Sequence, residues 1–481
     1  MRYEGPRGRL TEPATLIAHA QARGARVVAV TFMLDGRPLG SDTTEPYSLG
    51  LNPALVRPGA HVVRVVAVDS LGRRISTRPV ELTTTAYRAP MIRATPGKGL
   101  AAALSALRKG GVTVQLAPGR YRLDEARLGT GARLVGSGRR TVITPRRPSY
   151  WAILVAKGSH IRIANLAIDG AGPGAGGGNA VAVFDGSSDV RLQRVQMRRV
   201  RTHGVNVWGK NANVSIQDSE LVGGGTAQAG IFSLGSDRSR DTSVIRTRIR
   251  RFRSFGILLG QKEFGRRAAA LHGLALDNEI SDIRDPARDA CTQRPSTPRC
   301  GTNEGGIWTG GVAAAIIGNR IRNTRWDGIE TVGSSNGTTI LRNDIGGTRT
   351  GIYIEHSTND SLISRNTIRD AAAGINVEWS YGGVGSKRNS YALNRIVGAG
   401  KAGIFIGVGS DANRISGNTF VNGARPAIVL QGSSHNVVRA NRACGAKGSL
   451  VQEVSAKRDD GSLARPRSNR MAENRNADRC G

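Results

Sequence analysis

The sequence predicts an all-β chain in which a small β-sandwich precedes a long parallel solenoid. Three observations predict it. A glycine-led aliphatic pattern recurs at a spacing in the low twenties, with Gly306, Gly328, Gly351, Gly374 and Gly403 separated by 22, 23, 23 and 29 residues. Asparagines recur in step with it, at Asn319, Asn343, Asn366, Asn394, Asn418 and Asn441. Residues 10–85 follow a different rule, alternating apolar and polar side chains in short runs divided by turn signals. The 64 glycines among 481 residues are spread along the chain, as a fold with many tight turns requires.

The sandwich is expected first. Its runs are Thr15–Ala18, Val27–Leu34, His61–Val68 and Arg78–Leu82, with Asp35-Gly36 closing one hairpin and Asp69-Ser70-Leu71-Gly72 another. The stretch VTFMLDGRPLGSDTTEPYSLGL followed by PGAHVVRVVAVDSLGR resembles the bacterial immunoglobulin-like (Ig-like) domains that flank catalytic modules in secreted enzymes. The resemblance implies a spacer or adhesion module over residues 1–87.

The solenoid is expected over residues 88–443. Residues 97–109 read as an amphipathic helix, with Leu100, Ala103, Leu104 and Leu107 on one face. The strand and turn VTVQLAPGRY and then ARLVGSG follow it. Helix, LAPGRY and LVGSG in that order resemble the start of pectate-lyase-like proteins, which implies a right-handed parallel β-helix of the pectin-lyase-like kind with the helix capping its first coil. A period in the low twenties accommodates three short strands and three turns. The asparagines are read as an inward ladder on the second strand, each amide bonding to the coils on either side. Residues 444–481 are expected to form a polar tail or cap.

Register then gives direction. After each glycine the first and third residues are mostly aliphatic, as in Ile352 and Ile354, and point inward; the second and fourth point out. The outward columns carry Trp308, Glu330, Tyr353 and Asn376, and then Glu355 and Glu378, with His356 and Trp379 just beyond and Arg325 and Asp327 nearby. Segments Gln261–Arg267, Asp285–Asn303 and Ser380–Lys387 are expected as long loops around this patch. In pectate-lyase-like proteins the groove over this first sheet binds polysaccharide, so the resemblance points to the same place.

Glu355 and Glu378 are expected on adjacent coils about 4.8 Å apart. Carboxylates at about 5 Å suit a retaining glycosidase, and Glu330 at roughly 8 Å from Glu355 suits an inverting one. These three are the candidate catalytic residues. Trp308, Tyr353, His356, Asn376, Trp379, Asp327 and Arg325 are the candidate substrate contacts. A glycoside hydrolase is therefore the leading expectation. Uronate elimination or epimerisation is the alternative, with Tyr353 or His356 as base and Arg325 or calcium as neutraliser. A non-enzymatic glycan-binding or adhesion β-helix is the third. The motifs that would supply family catalytic residues are missing: the calcium-binding aspartates of pectate lyases, the Asp-Pro-His motif of alginate epimerases and the paired aspartates of polygalacturonases. No cofactor or metal site is called for unless the chemistry is a lyase's.

The net charge of +33 points either to an acidic partner, such as a polyuronic or cell-wall polymer, or to GC-rich coding, which favours arginine over lysine. No nucleic-acid motif accompanies it. The cysteines form two local pairs without CxxC spacing, Cys291 with Cys300 and Cys444 with Cys480. Two disulfides in an oxidising compartment are expected. No run of 18 apolar residues offers a membrane span. Residues 1–10 do not read as a signal peptide, and a domain that begins almost at once suggests a truncated start. A secreted or cell-surface monomer that meets extracellular polysaccharide is the resulting expectation.

Overall fold

The computed structural model describes all residues except 12–13, 43–44, 52, 54–55, 72, 86–89, 147–150, 171–177, 226, 236–241, 262–271, 285–304, 379–384, 424–425, 446–448, 459–460 and 478–481. The chain divides into two compact units. One is Met1–Ile249 with Ala270–Asn278, the other Arg250–Ala269 with Glu279–Gly481.

The first unit opens with the sandwich. Arg2–Glu4, Ala14–His19 and Tyr47–Leu51 make an antiparallel three-stranded sheet. Gly8–Leu10, Val80–Thr84, Gly59–Asp69, Val27–Leu34 and Arg37–Asp42 make the facing sheet, with Arg74–Ser76 on its Gly59–Asp69 strand. Leu16, Val30, Phe32, Tyr47, Val63 and Val65 fill the space between them. The two-residue turn at Asp35 and Gly36 has φ of 51° and 73°. Both residues are left-handed there, as the tight hairpin turn demands. The Asp69 carboxylate closes the second hairpin by accepting the N–H groups of Leu71 at 2.9 Å and Arg73 at 2.8 Å.

The strands from Met91–Ala94 onward form a right-handed parallel β-helix of about 12 turns. Its cap helix spans Leu100–Lys109, three residues shorter than the apolar pattern suggests. Gly97 and Gly99 have φ of 80° and 74°, so the chain reaches helical dihedrals only at Leu100. Ala103 and Leu107 are the buried face. The first coil is Thr113–Leu116, Gly119–Leu123 and Ala126–Leu128.

In the second unit each coil repeats the same three-strand cycle. Ile307, Ile329, Ile352, Ile375, Ile404 and Ile428 stack in register and are fully buried. The glycine that precedes each of the first five is dictated by space. A Cβ on Gly328 would lie 2.6 Å from the Gly351 carbonyl oxygen and 2.4 Å from Ile345 Cγ2.

The asparagine ladder is present, but it stands in the turn that follows the second strand, not within it. The backbone N–H and side-chain Nδ2 of Asn319 both donate to Asn343 Oδ1 at 2.9 Å, and Asn343 Nδ2 donates to the Ile316 carbonyl at 2.9 Å. The same pattern runs through Asn366, Asn394, Asn418 and Asn441 to Asn474. A second ladder, not anticipated from sequence, links Asn389, Asn413, Asn436 and Asn469 at the preceding turn.

The C-terminal residues differ from the expected tail. Val451–Val454, Arg470–Ala472 and Arg475–Ala477 pair in parallel with the last predicted coil and add another, interrupted by the hairpin Ala456–Lys457 and Leu463–Ala464. This further coil covers an edge that would otherwise be open. Cys444 ends a strand of the coil beneath and is buried. Cys291, Cys300 and Cys480 lie outside the described residues, so the pairing stays a proposal.

Candidate active site

Period-two alternation carries the site residues into two columns. Trp308, Glu330, Tyr353, Asn376 and Phe405 are successive register partners along the first sheet. Glu355 and Glu378 are partners two residues further along. Asp327 begins its strand opposite Gly305 and Thr350. The structure thus brings together Asp327, Glu330, Tyr353, Glu355, His356, Asn376 and Glu378. The Arg325 guanidinium lies 5.9 Å from the Trp326 ring centre. Trp379 and most of the three loops lie outside the described residues.

Burial corrects the sequence reading at two positions. Glu330 and Trp308 belong to the outward column, yet they retain 2% and 4% exposure. Glu330 has bulky register neighbours on both sides, Trp308 and Tyr353, and Trp308 packs on Phe255 with ring centres 6.1 Å apart. A short carboxylate between two large rings is roofed over. Its Oε2 has no hydrogen-bond partner among the described residues. Trp308 therefore offers little of its face to a sugar.

The electrostatics follow from that burial. Desolvation raises the Glu330 carboxyl well above the usual range, and the Asp327 and Glu355 charges add to it, while the Trp308 indole acts the other way. Asp327 is pushed up to about 7, chiefly by burial, against a hydrogen bond from Thr350 and the charge of Arg349. Glu355 is also pushed up to about 7, by burial and by the Glu378 charge, against the Tyr353 hydroxyl. That hydroxyl donates to Glu355 Oε1 at 3.5 Å. The His356 Nε2 lies 3.2 Å from the same oxygen. Burial lowers the His356 pKa, so its imidazole is neutral near neutral pH. The Tyr353 phenol is raised by burial and by the Glu355, Glu378, Asp327 and Glu330 charges, and holds its proton. Glu378 differs from the other acids: it is exposed, and its Oε2 accepts Asn376 Nδ2 at 2.8 Å.

Immediately after Glu355 the chain turns through His356 and Ser357, with φ of 43° and 55°. Two successive non-glycine residues in the left-handed region set the direction in which His356 leaves the strand. Sequence reasoning missed Arg349 and Trp326, whose guanidinium-to-ring distance is 4.2 Å. Both precede their glycines, outside the columns read from sequence.

Residues 6–65 match the family model described as bacterial Ig domain. Residues 291–458, just over a third of the chain, match that described as periplasmic copper-binding protein (NosD). No curated protein matches the chain. Solved structures similar to it include the catalytic domain of a GH87 alpha-1,3-glucanase in complex with tetrasaccharides, with TM-score 0.48, 12% identity and coverage of 92% of this chain and 89% of that one. The family 28 exopolygalacturonase of Yersinia enterocolitica gives TM-score 0.45 and 10% identity over 100% and 99% of the two chains. The mannuronan C-5 epimerase AlgE6 A-module of Azotobacter vinelandii gives TM-score 0.39 and 18% identity over 79% and 90%. On its own strand register, the chain is a parallel β-helix preceded by a β-sandwich that matches the bacterial Ig domain model.

Proposed function

We propose that this protein is a secreted, polysaccharide-active β-helix protein that hydrolyses a glycosidic bond, with Glu355 as general acid and Glu378 as the partner carboxylate. One observation carries the reading. Two glutamates at equivalent positions on adjacent coils have unlike surroundings: the Glu355 side chain is 13% exposed and its pKa is pushed up to about 7, while Glu378 is open to solvent. A protonated carboxyl beside an ionised one supplies both an acid and a nucleophile. A coil spacing of about 4.8 Å favours the retaining arrangement, in which the carboxyls stand about 5–5.5 Å apart. The Glu355 charge acts on Asp327 and Glu330, and Glu330 is too buried to touch substrate.

The same cluster argues against uronate elimination as the first reading. The Tyr353 phenol is held protonated, and the Arg325 guanidinium lies 5.9 Å from the Trp326 ring centre. His356 remains the base that reading would use. Among the described residues no three His, Cys, Asp or Glu side chains gather to hold a metal ion.

Incubation with neutral and uronic polysaccharides tests the proposal. New reducing ends without the ultraviolet absorbance of an unsaturated uronate support hydrolysis. That absorbance would replace it with elimination, and binding without product would leave a glycan-binding β-helix.

A further inference from the structure

The groove is acidic, yet the chain carries +33 of net charge, and the groove reading leaves that charge unexplained. Much of it is scattered, but on the first unit three arginines fall into one column. Arg133, Arg162 and Arg191 are register partners on three successive coils, and the column continues as Ser215 and Ser243. All three are half-buried. Their guanidinium groups therefore recur at the coil spacing, about 4.8 Å.

Arg162 Nη2 donates to Gln193 Oε1 at 3.0 Å. Burial, with Arg162 adding its charge, lowers Arg133 to about 10. Burial and Arg162 likewise lower Arg191 to about 10, with Asp189 opposing. Arg162 is lowered by burial and by Arg194. Like charges in a desolvated row repel one another, and an anionic ligand would relieve that repulsion.

The column runs into a built cleft at the foot of the Ig-like domain. Gln217 Nε2 donates to the Leu39 carbonyl at 3.0 Å, which seats strand Arg37–Asp42 beside the end of the column. Ser41, Gly50, His160, Asp189, Arg191 and Ser215 line the cavity left there. Asp189 is already engaged, accepting Asn213 Nδ2 at 3.0 Å and facing His160 Nδ1 at 3.2 Å. Leu39, Leu49 and Val190 also line the cavity, and at about 30 Å³ it is too small for a sugar, so Arg191 marks the end of the column.

We propose that the Arg133–Arg162–Arg191 column binds a carboxylated polysaccharide as an anchor, separate from the groove where chemistry occurs. One cation per coil suits a polymer with one carboxylate per sugar, because the guanidinium fork takes a carboxylate in two hydrogen bonds.

The test uses the full chain and polygalacturonate oligomers, with neutral dextran as the comparison. Binding is measured by calorimetry for the parent, for Arg162→Gln with Arg191→Gln, and for a control, Arg395→Gln with Arg414→Gln. The control removes the same net charge from exposed positions of the other unit. The column variant should lose about tenfold in affinity per arginine, corresponding to about 1.4 kcal/mol each, and the control should change little. Without ligand, the column variant should melt no lower than the parent, and polygalacturonate should raise the melting temperature of the parent and the control more than that of the column variant. Glu355→Gln should bind polygalacturonate like the parent, so loss of hydrolysis and loss of anchoring are separable. The proposal is overturned if both double variants lose equally, if the column variant binds unchanged, or if the column variant unfolds while the Arg162→Lys and Arg191→Lys pair binds as the parent does. Equally tight, column-dependent binding of a DNA duplex would overturn the polysaccharide assignment.

Discussion

Replacing Glu355 with Gln probes the site through stability as well as turnover. The carboxyl is pushed from an ordinary 4.5 up to about 7. Native Glu355 therefore holds its proton at a pH where the unfolded chain has lost it. With more protons bound in the folded state, stability falls as pH rises between those two values. The difference is at most about 3 kcal/mol by linkage. The side chain keeps 13% exposure, and Tyr353 already bonds the charged form, so about 1–2 kcal/mol is the expectation. Glu355→Gln is neutral throughout and lacks this slope. Calorimetric melting of both proteins from pH 5 to pH 8 should show the variant gaining on the parent by a few degrees, at about 2–4 °C per kcal/mol for a unit of this size. The gain should lie between those pH values and be absent below them. Turnover of a cleaved glycan should fall by about 10²–10⁴-fold. In the parent, activity should decline above pH about 7, as the acid loses its proton. A melting difference that does not change with pH would refute the burial argument, and full activity in the variant would refute the role.

Glu378→Gln should abolish turnover to a similar degree, yet leave the melting temperature within about 1 °C, because the side chain is exposed and surface changes are usually worth under about 0.5 kcal/mol. Asn366→Ala should destabilise the second unit by about 2–4 kcal/mol in a denaturant titration, since it removes the Oδ1 that accepts from Asn343 and the Nδ2 that donates to Asn394 Oδ1 and to the Ile340 carbonyl, each buried. Protein expressed under oxidising conditions should give Cys291–Cys300 and Cys444–Cys480 peptides on mass mapping; free thiols at all four positions would discard both pairings.

The columns were legible because two rules act together. Side chains alternate along a strand, and a glycine that admits no Cβ marks the same point on each coil, as Gly328 does against Gly351. Counting two and four residues from that mark puts Glu330 over Tyr353 and Glu355 over Glu378. What counting misses is the size of neighbours. Glu330 and Val429 share column parity, but only Glu330 lies between Trp308 and Tyr353, so the expectation of an outward glutamate failed there. The second asparagine ladder was hidden for another reason. Asn389, Asn413 and Asn436 follow short polar turns, not a clear apolar strand, although their spacing of 24 and 23 repeats. The final coil was masked by its inserted hairpin, which stretches the step from Asn441 to Asn474 to 33 residues.

A solenoid places equivalent residues within one strand spacing of each other, whatever their chemistry. Where those residues are glutamates, the fold itself enforces charge coupling, and only differences in burial can separate their proton affinities. The separation here comes from depth along the face. Glu355 sits beside Tyr353 and His356 with the buried acids Glu330 and Asp327 behind it; Glu378 has the Asn376 amide and open solvent. Exchanging those surroundings would exchange the roles. Asn376→Leu removes the amide that holds the Glu378 carboxylate in place, so turnover should fall while the limb of the activity profile set by Glu355 stays where it is. If that limb moved as well, the two carboxyls would have to be treated as one coupled pair with no fixed acid and base.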